Sequence, residues 1–231
     1  MTFELENIVP WGRSFNEYVA MFALSDIDLE KRILGCGDGP AAFNAALTRQ
    51  GGQVLSVDPL YRHSAPEIRR RIDKTRDEVL EQTRKNREQF IWSTVSSVEE
   101  LGQLRKSAME EFLADYPAGR TEARYLDGEL PRLPFANGEF DLALCSHLLF
   151  LYSEQLSAEF HIVAIQELCR VARTVRIFPL LEFGARPSRH LNQILSLLSN
   201  LGYALDIVPV AYELQRGGNQ MLTVEKTVPC A

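Results

Sequence analysis

Cysteine is sparse in this 231-residue chain: Cys36, Cys145, Cys169 and Cys230 stand far apart. None forms a C-x-x-C pair or a Cys/His cluster at zinc spacing, so neither a disulfide framework nor a structural metal site is indicated. Long apolar runs are missing too; nothing approaches the roughly 18 residues that would mark a membrane span. The start, Met1-Thr2-Phe3-Glu4-Leu5-Glu6, is acidic where a secretion signal would be basic. These absences point to a cytoplasmic protein with no membrane partner. Basic residues are in deficit, 25 Lys and Arg against 31 Asp and Glu, for a net charge of −6. That balance argues against nucleic acid as the main partner. There is no internal repeat and no low-complexity segment.

What is present is ordinary globular chemistry, 45% hydrophobic and 24% charged, enough for one substantial core. The chain is organised around Gly35-Cys36-Gly37-Asp38-Gly39-Pro40. Lys31 to Leu34 leads in as an extended segment, and Ala41 to Gln50 leaves as a helix. A strand, a glycine-dense turn and a helix start make a site for a nucleotide-like ligand, because the backbone can turn sharply and approach it closely. The plainer alternative is a glycine turn with no ligand. Upstream, Ser14 and Glu17 form a capping box before a helix carrying Phe15, Tyr18, Val19 and Phe22. Before it, Ile8 to Arg13 reads as an extended lead-in. Trp11 and Arg13 stand within reach of the ligand mouth, with packing for Trp11 and solvent for Arg13 as their plainer fates.

Gln53 to Val57 is a second strand ending at Asp58, which follows Gly35 by 23 positions. That is near the separation of about 20 that places a carboxylate against a ribose diol in doubly wound nucleotide sites. An Asp before Pro59 would also simply start a turn. From Pro59 to Glu122 the chain is too long for an ordinary crossover. It reads as helices, with Ile68, Ile72 and Val79 on one face and Val98, Leu101, Leu104, Ala108 and Phe112 on another. Residues 64–121 are therefore expected to form a helical insertion capping the mouth of a single domain, 1–231. Its dense charge, including Arg69-Arg70-Arg71, Lys74 and Arg76 with interleaved acids, reads as a solvated face, with an anion- or nucleic-acid-binding patch as the alternative.

Ala123 to Asp127 looks like a third strand and Phe140 to Cys145 a buried fourth, with Ser146-His147 at its carboxyl edge, where α/β sheets bind ligands. A helix through Leu156 to Val171, a strand over 174–180, and a helix after Ser188 closed by Gly202 follow. Two last strands, 203–210 and 220–226, flank Gly217-Gly218-Asn219 and are expected to pair antiparallel. The alternation predicts an α/β sheet covered on both faces.

Three motifs resemble those of the class I S-adenosylmethionine-dependent methyltransferases: Ile33 to Gly39, Val57-Asp58, and Leu133 to Cys145 with its "LPF…FD" approach. The resemblance implies a doubly wound, mostly parallel seven-stranded sheet of the Rossmann-like methyltransferase fold, with the helical insertion after strand 2. It implies S-adenosylmethionine as cofactor. Gly35, Cys36, Gly37 and Gly39 would underlie its methionine and ribose portion, and Asp58 with Pro59 would hold the diol. Leu126 and Asp127 would border adenine, and Cys145 and Ser146 would line the wall where cofactor and acceptor meet. The chain departs from the pattern at Ile33, where many members carry an acid, and in lacking a Pro-Gly-Gly turn before the fifth strand. A nicotinamide dinucleotide is the rival cofactor, but the third glycine of its fingerprint falls on Pro40 or Ala42.

Methyl transfer needs a base only if the acceptor loses a proton. His147 is the candidate, with a structural histidine as the alternative; Tyr61, Arg62, His63 and Tyr152 rank behind it at the mouth. No Asn/Asp-Pro-Pro-Tyr/Phe tetrapeptide follows the fourth strand, which argues against exocyclic-amine chemistry on nucleobases. Cys145 lacks the Pro-Cys context of a covalent pyrimidine mechanism. The expected acceptor is a small molecule, with a protein or RNA acceptor also open. The alternative from another class is a non-catalytic regulatory or scaffold protein that binds the same cofactor.

Overall fold

A computed structural model describes residues 9–226 of the chain. The acidic start, Ile8 of the lead-in and Cys230 lie outside the described residues. In chain order the elements are α1 (Phe15–Met21), α2 (Asp26–Leu29), β1 (Arg32–Cys36), α3 (Phe43–Arg49), β2 (Gln53–Val57), α4 (Ala65–Lys85), α5 (Val98–Thr121), β3 (Tyr125–Leu126) and β4 (Phe140–Ser146). There follow α6 (Ala158–Val171), β5 (Ala172–Phe178), the short ribbon β6 (Leu181–Glu182) and β7 (Arg186–Pro187), α7 (Leu191–Asn200), β8 (Tyr203–Pro209) and β9 (Gln220–Lys226).

The expected seven-stranded sheet is present, in the order β3-β2-β1-β4-β5-β9-β8. β1 pairs parallel with both β2 and β4, β4 with β5, and β9 antiparallel with β5 and β8. The strand order reverses at β1, between β2 and β4, and such a switch point opens a crevice beyond the strands' carboxyl ends.

The two faces follow from the period of 2 along each strand. Leu34, Cys36, Ala143, Cys145, Val175 and Ile177 turn to one side, onto Ala164, Ile165 and Leu168 of α6 and Ile194 and Leu198 of α7. Ile33, Val54, Leu142 and Leu144 turn to the other, onto Tyr18 and Met21 of α1 and Phe43 and Leu47 of α3. Strands covered on both faces read as continuous apolar runs, which is why β4 was legible. The third strand is shorter than expected, two residues rather than five, and the fifth begins at Ala172, directly from α6.

Between β2 and β3 the chain forms the two long helices α4 and α5. Their apolar faces meet around Ile68, Ile72, Met109, Phe112 and Tyr116, with Tyr61 stacked on Phe112 and Tyr125 meeting both rings edge-on. The far end of this pair is tied to the loop between β8 and β9. The Ile91 N–H donates to the Leu214 carbonyl at 2.8 Å, and the Arg216 N–H to that of Gln89 at 2.8 Å.

Candidate functional site

A cavity of about 970 Å³ lies over the carboxyl ends of β1, β2, β4 and β5. Its floor is Cys36 to Gly39, Val57 to Leu60, Ser146 to Leu148 and Phe178-Pro179. Its roof comes from α4, from the lead-in Val9 to Arg13, and from the β8–β9 loop at Tyr212 to Gln215. The volume stands at the upper end of the roughly 300–1,000 Å³ of small-molecule sites.

The glycine turn is held by its neighbours. The Gly37 N–H donates to the Val57 carbonyl at 2.9 Å, and the Tyr61 hydroxyl donates to the Gly39 carbonyl at 2.7 Å. Asp38 folds back over Gly35, where a Cβ would fall 1.8 Å from its Oδ2. Only glycine fits there. The Asp38 carboxylate accepts from the Ser56 hydroxyl at 2.6 Å and the Tyr18 hydroxyl at 2.9 Å. Burial pushes its pKa up to about 6 in spite of those two donors.

Asp58 stands at the end of β2 and caps a short turn of helix, Pro59–Arg62. Its Oδ1 accepts from the Leu60 N–H at 2.7 Å and its Oδ2 from the Gly39 N–H at 2.8 Å. The turn-starting role and the position facing a ligand therefore coexist. Each carboxylate oxygen has a second lone pair, and the half-buried side chain borders the cavity. Burial raises this carboxyl too, to about 6.

His147 lies at the edge of β4 in a left-handed conformation, φ 54°, with its N–H donating to the Phe178 carbonyl at 2.7 Å. Its Nδ1 is 2.9 Å from the Ser146 hydroxyl oxygen. Burial, reinforced by the charges of Arg13 and Arg105, holds its pKa well below the ordinary histidine value, so the ring is neutral. Cys145 is buried in the core, its thiol pushed up to about 12 by burial.

Over most of its length the chain is similar to the uncharacterised protein MJ0045 of Methanocaldococcus jannaschii: 32% identity over 225 residues, covering 96% of this chain and 98% of that one. The chain belongs to the family of MJ0045. No protein-family model matches it. Among solved structures it is similar to the PH0226 protein of Pyrococcus horikoshii, at 10% identity over 91% of this chain and 89% of that one, TM-score 0.48. It is also similar to magnesium protoporphyrin IX methyltransferase of Synechocystis PCC 6803 with bound SAM, at 14% identity over 92% and 78% of the chains, TM-score 0.46.

In this member of the MJ0045 family, the cavity brings together Cys36, Gly37, Gly39, Asp58, Pro59, Ser146 and His147 of the residues expected from sequence. Gly35 sits beneath Asp38, and Cys145 points into the core between sheet and α6. Leu126 and Asp127 are set back from the lining, which at that rim is formed by Gly128, Glu129 and Leu130. Asp127 is exposed and paired with Arg62 at 3.2 Å. Of the second-ranked mouth residues, Arg62, His63 and Tyr152 line the cavity, whereas Tyr61 is buried behind the glycine turn. Trp11 and Arg13 both line it, Arg13 departing from the solvent fate expected for it. Sequence reasoning passed over Asp38 and Tyr18, although Asp38 is part of the glycine motif itself. Arg71, Lys74 and Glu78, expected on a solvated face, are the part of α4's charged face that turns to the cavity. Among the described residues, no cluster of His, Cys, Asp and Glu could hold a metal ion, and no helix is long and apolar enough to cross a membrane.

Proposed function

We propose that this protein is an S-adenosylmethionine-dependent methyltransferase acting on a small-molecule acceptor. The observation that carries the reading is the cavity at the switch point of the sheet, with the glycine turn on its floor and the Asp58 carboxylate at its edge. The residues fit the cofactor. Asp58, with a spare lone pair on each oxygen, is the acceptor for the ribose diol. Asp38 supplies, from inside the turn, the carboxylate that Ile33 does not, and we assign it to the cofactor's ammonium group. Gly128 to Leu130 border adenine in place of Leu126 and Asp127.

When bound, the cofactor supplies a methyl group on a sulfonium, activated for in-line transfer to a lone pair of the acceptor. The chain's own residues then position, shield and deprotonate. His147 is neutral and at the edge of β4, so it is the group we assign to receive any proton the acceptor loses, as a weaker base than free imidazole because burial and the two guanidiniums disfavour its cation. The tie between residues 89–91 and 214–216 joins the insertion to the β8–β9 loop above the cavity and narrows its access to solvent. A roofed chamber favours a small molecule over a protein or RNA segment.

The experiment is titration calorimetry with S-adenosylmethionine, S-adenosylhomocysteine and NAD in parallel. Micromolar binding of both adenosyl compounds without NAD is expected. Equal binding of NAD, or silence with all three, would refute the cofactor assignment.

A further inference from the structure

Arg13 stands beside a buried charge cluster that leaves it without a counter-ion among the described residues. In that cluster Arg105 of α5 is 0% exposed and donates through Nη1 to both carboxylate oxygens of Glu17 in α1. Its Nη2 donates to the Tyr212 hydroxyl at 3.2 Å, and that hydroxyl donates to Glu17 Oε1 at 3.0 Å. Burial raises the Tyr212 phenol, so it is neutral. The one carboxylate is thus matched by Arg105 alone.

Arg13 brings a second positive charge to the same place. Its Nη1 donates to the Trp11 carbonyl at 2.6 Å, while its Nε is buried with no hydrogen-bond partner. Arg13 is half-buried, and a guanidinium nitrogen taken out of water without an acceptor is costly unless an anion completes it; its planar fork suits a carboxylate. The side chain lines the cavity together with Trp11, His147, Tyr152, Phe178 and Tyr212. Its charge acts on Glu17, Tyr18, His147, Tyr152 and Tyr212. The ribose acid Asp58 couples instead to Asp127, Arg62 and Asp38. Arg13 is anchored by its backbone at the glycine turn, its carbonyl accepting from the Ala42 N–H at 2.9 Å, and its side chain lines the cavity with the aromatic rings and the candidate base of the β4–β5 side.

We propose that Arg13 is the receptor for a carboxylate on the methyl acceptor, and that the acceptor is an aromatic or similarly flat apolar carboxylic acid. The word acceptor rests on the methyltransferase reading; the carboxylate receptor does not. The other source of the same chemistry is the carboxylate of the cofactor's amino-acid end, and the experiment separates the two.

The probes are 2-naphthoate and its uncharged counterpart 2-naphthamide, titrated into the full chain with and without saturating S-adenosylhomocysteine. The acid is expected to bind one to one in the presence of S-adenosylhomocysteine, at least about tenfold tighter than the amide. Arg13→Met should erase that preference and Arg13→Lys keep part of it, with S-adenosylhomocysteine affinity changed by less than about threefold in both. That last affinity also reports that the variants are folded. Equal binding of acid and amide, no binding of the acid, or an acid preference that survives in Arg13→Met would overturn the proposal. So would a tenfold or larger loss of S-adenosylhomocysteine affinity in Arg13→Met with methylthioadenosine, which lacks the amino-acid end, unaffected; the anion would then be the cofactor's own. If S-adenosylhomocysteine does not bind the wild type, the methyltransferase reading fails. An acid preference without it would still support the receptor, and its absence would overturn it.

Discussion

Asp58→Asn tests the placement of the ribose and the ionisation of the site together. In the free protein each Asp58 oxygen already accepts one backbone N–H, from Leu60 and from Gly39. Its remaining lone pairs are what a diol would engage. Charge-assisted hydrogen bonds of this kind contribute more than neutral ones, so their loss should cost about 1–3 kcal/mol, or roughly 5- to 150-fold in affinity. The amide also presents a donor to one of the two N–H groups, a cost of about 1 kcal/mol in the turn that opposes the stability regained at pH 8 by removing a carboxyl whose pKa is raised. The pH dependence gives the sharper signature. Burial raises the free carboxyl to about 6, and the diol binds its ionised form. Below that pH a proton competes with the ligand, so wild-type affinity should fall by up to about tenfold per pH unit, and level off above neutrality. Asp38 titrates in the same range. Whatever slope survives in Asp58→Asn is then its contribution. The assay is calorimetric titration with S-adenosylhomocysteine from about pH 8 to pH 5, with circular dichroism to confirm the fold. A variant that binds as tightly as wild type at pH 8, with its melting temperature kept, would refute the assignment of Asp58 to the ribose.

The other predictions concern single groups. Asp38 has a folded pKa near 6, above the ordinary carboxylate value of 3.8, so its ionisation destabilises the fold as pH rises through that window. Asp38→Asn should therefore gain roughly 2–3 kcal/mol at pH 8 and little near pH 4, while weakening S-adenosylhomocysteine; a loss of thermal stability at pH 8 would contradict this. Arg105→Met strands the buried Glu17 carboxylate, which Arg105 holds at about 2 against the upward push of burial. Denaturant titration should show a loss of about 3–5 kcal/mol, partly recovered on adding Glu17→Gln, and no recovery would mean the pair is not the pin joining α1 to α5. Gly37→Ala places a Cβ 2.6 Å from Leu148 Cδ2 at φ +70°. It should cost about 1–2 kcal/mol in stability and weaken cofactor binding, and an unchanged titration would count against the floor assigned to this turn. His147→Ala should lower turnover of an identified acceptor by about 10²-fold with cofactor affinity kept, and full turnover would dismiss it as the base.

The glycine motif, Asp58 and the carboxyl edge of β4 were legible because their relation is set along the chain. A strand ending in glycines, a helix start, and an acid one βα unit later reach the same edge of the sheet whatever surrounds them. The apolar runs of β1, β2 and β4 likewise announced a sheet buried on both faces, and the helical periodicity of residues 64–121 announced α4 and α5. The shortness of β3 was not legible: its pairing covers only Ser56-Val57 opposite Tyr125-Leu126. Gly128 to Leu130 at the cavity rim follow from that register.

Charge is where the tertiary structure decided. Arg105 sits in a helix whose sequence announces only an apolar face, yet its partners Glu17 and Tyr212 lie 88 and 107 positions away and remove it wholly from water. Asp38 owes its raised pKa to burial between Ser56 and Tyr18, and His147 owes its neutrality to burial beside two guanidiniums. Arg13 is expected in solvent from residue preference and instead lines the cavity short of a partner. Local spacing determines where a backbone turns and which edge a side chain reaches. The protonation and pairing of an ionisable group depend on the dielectric and on charges brought in from distant segments, and those exist only once the chain has folded.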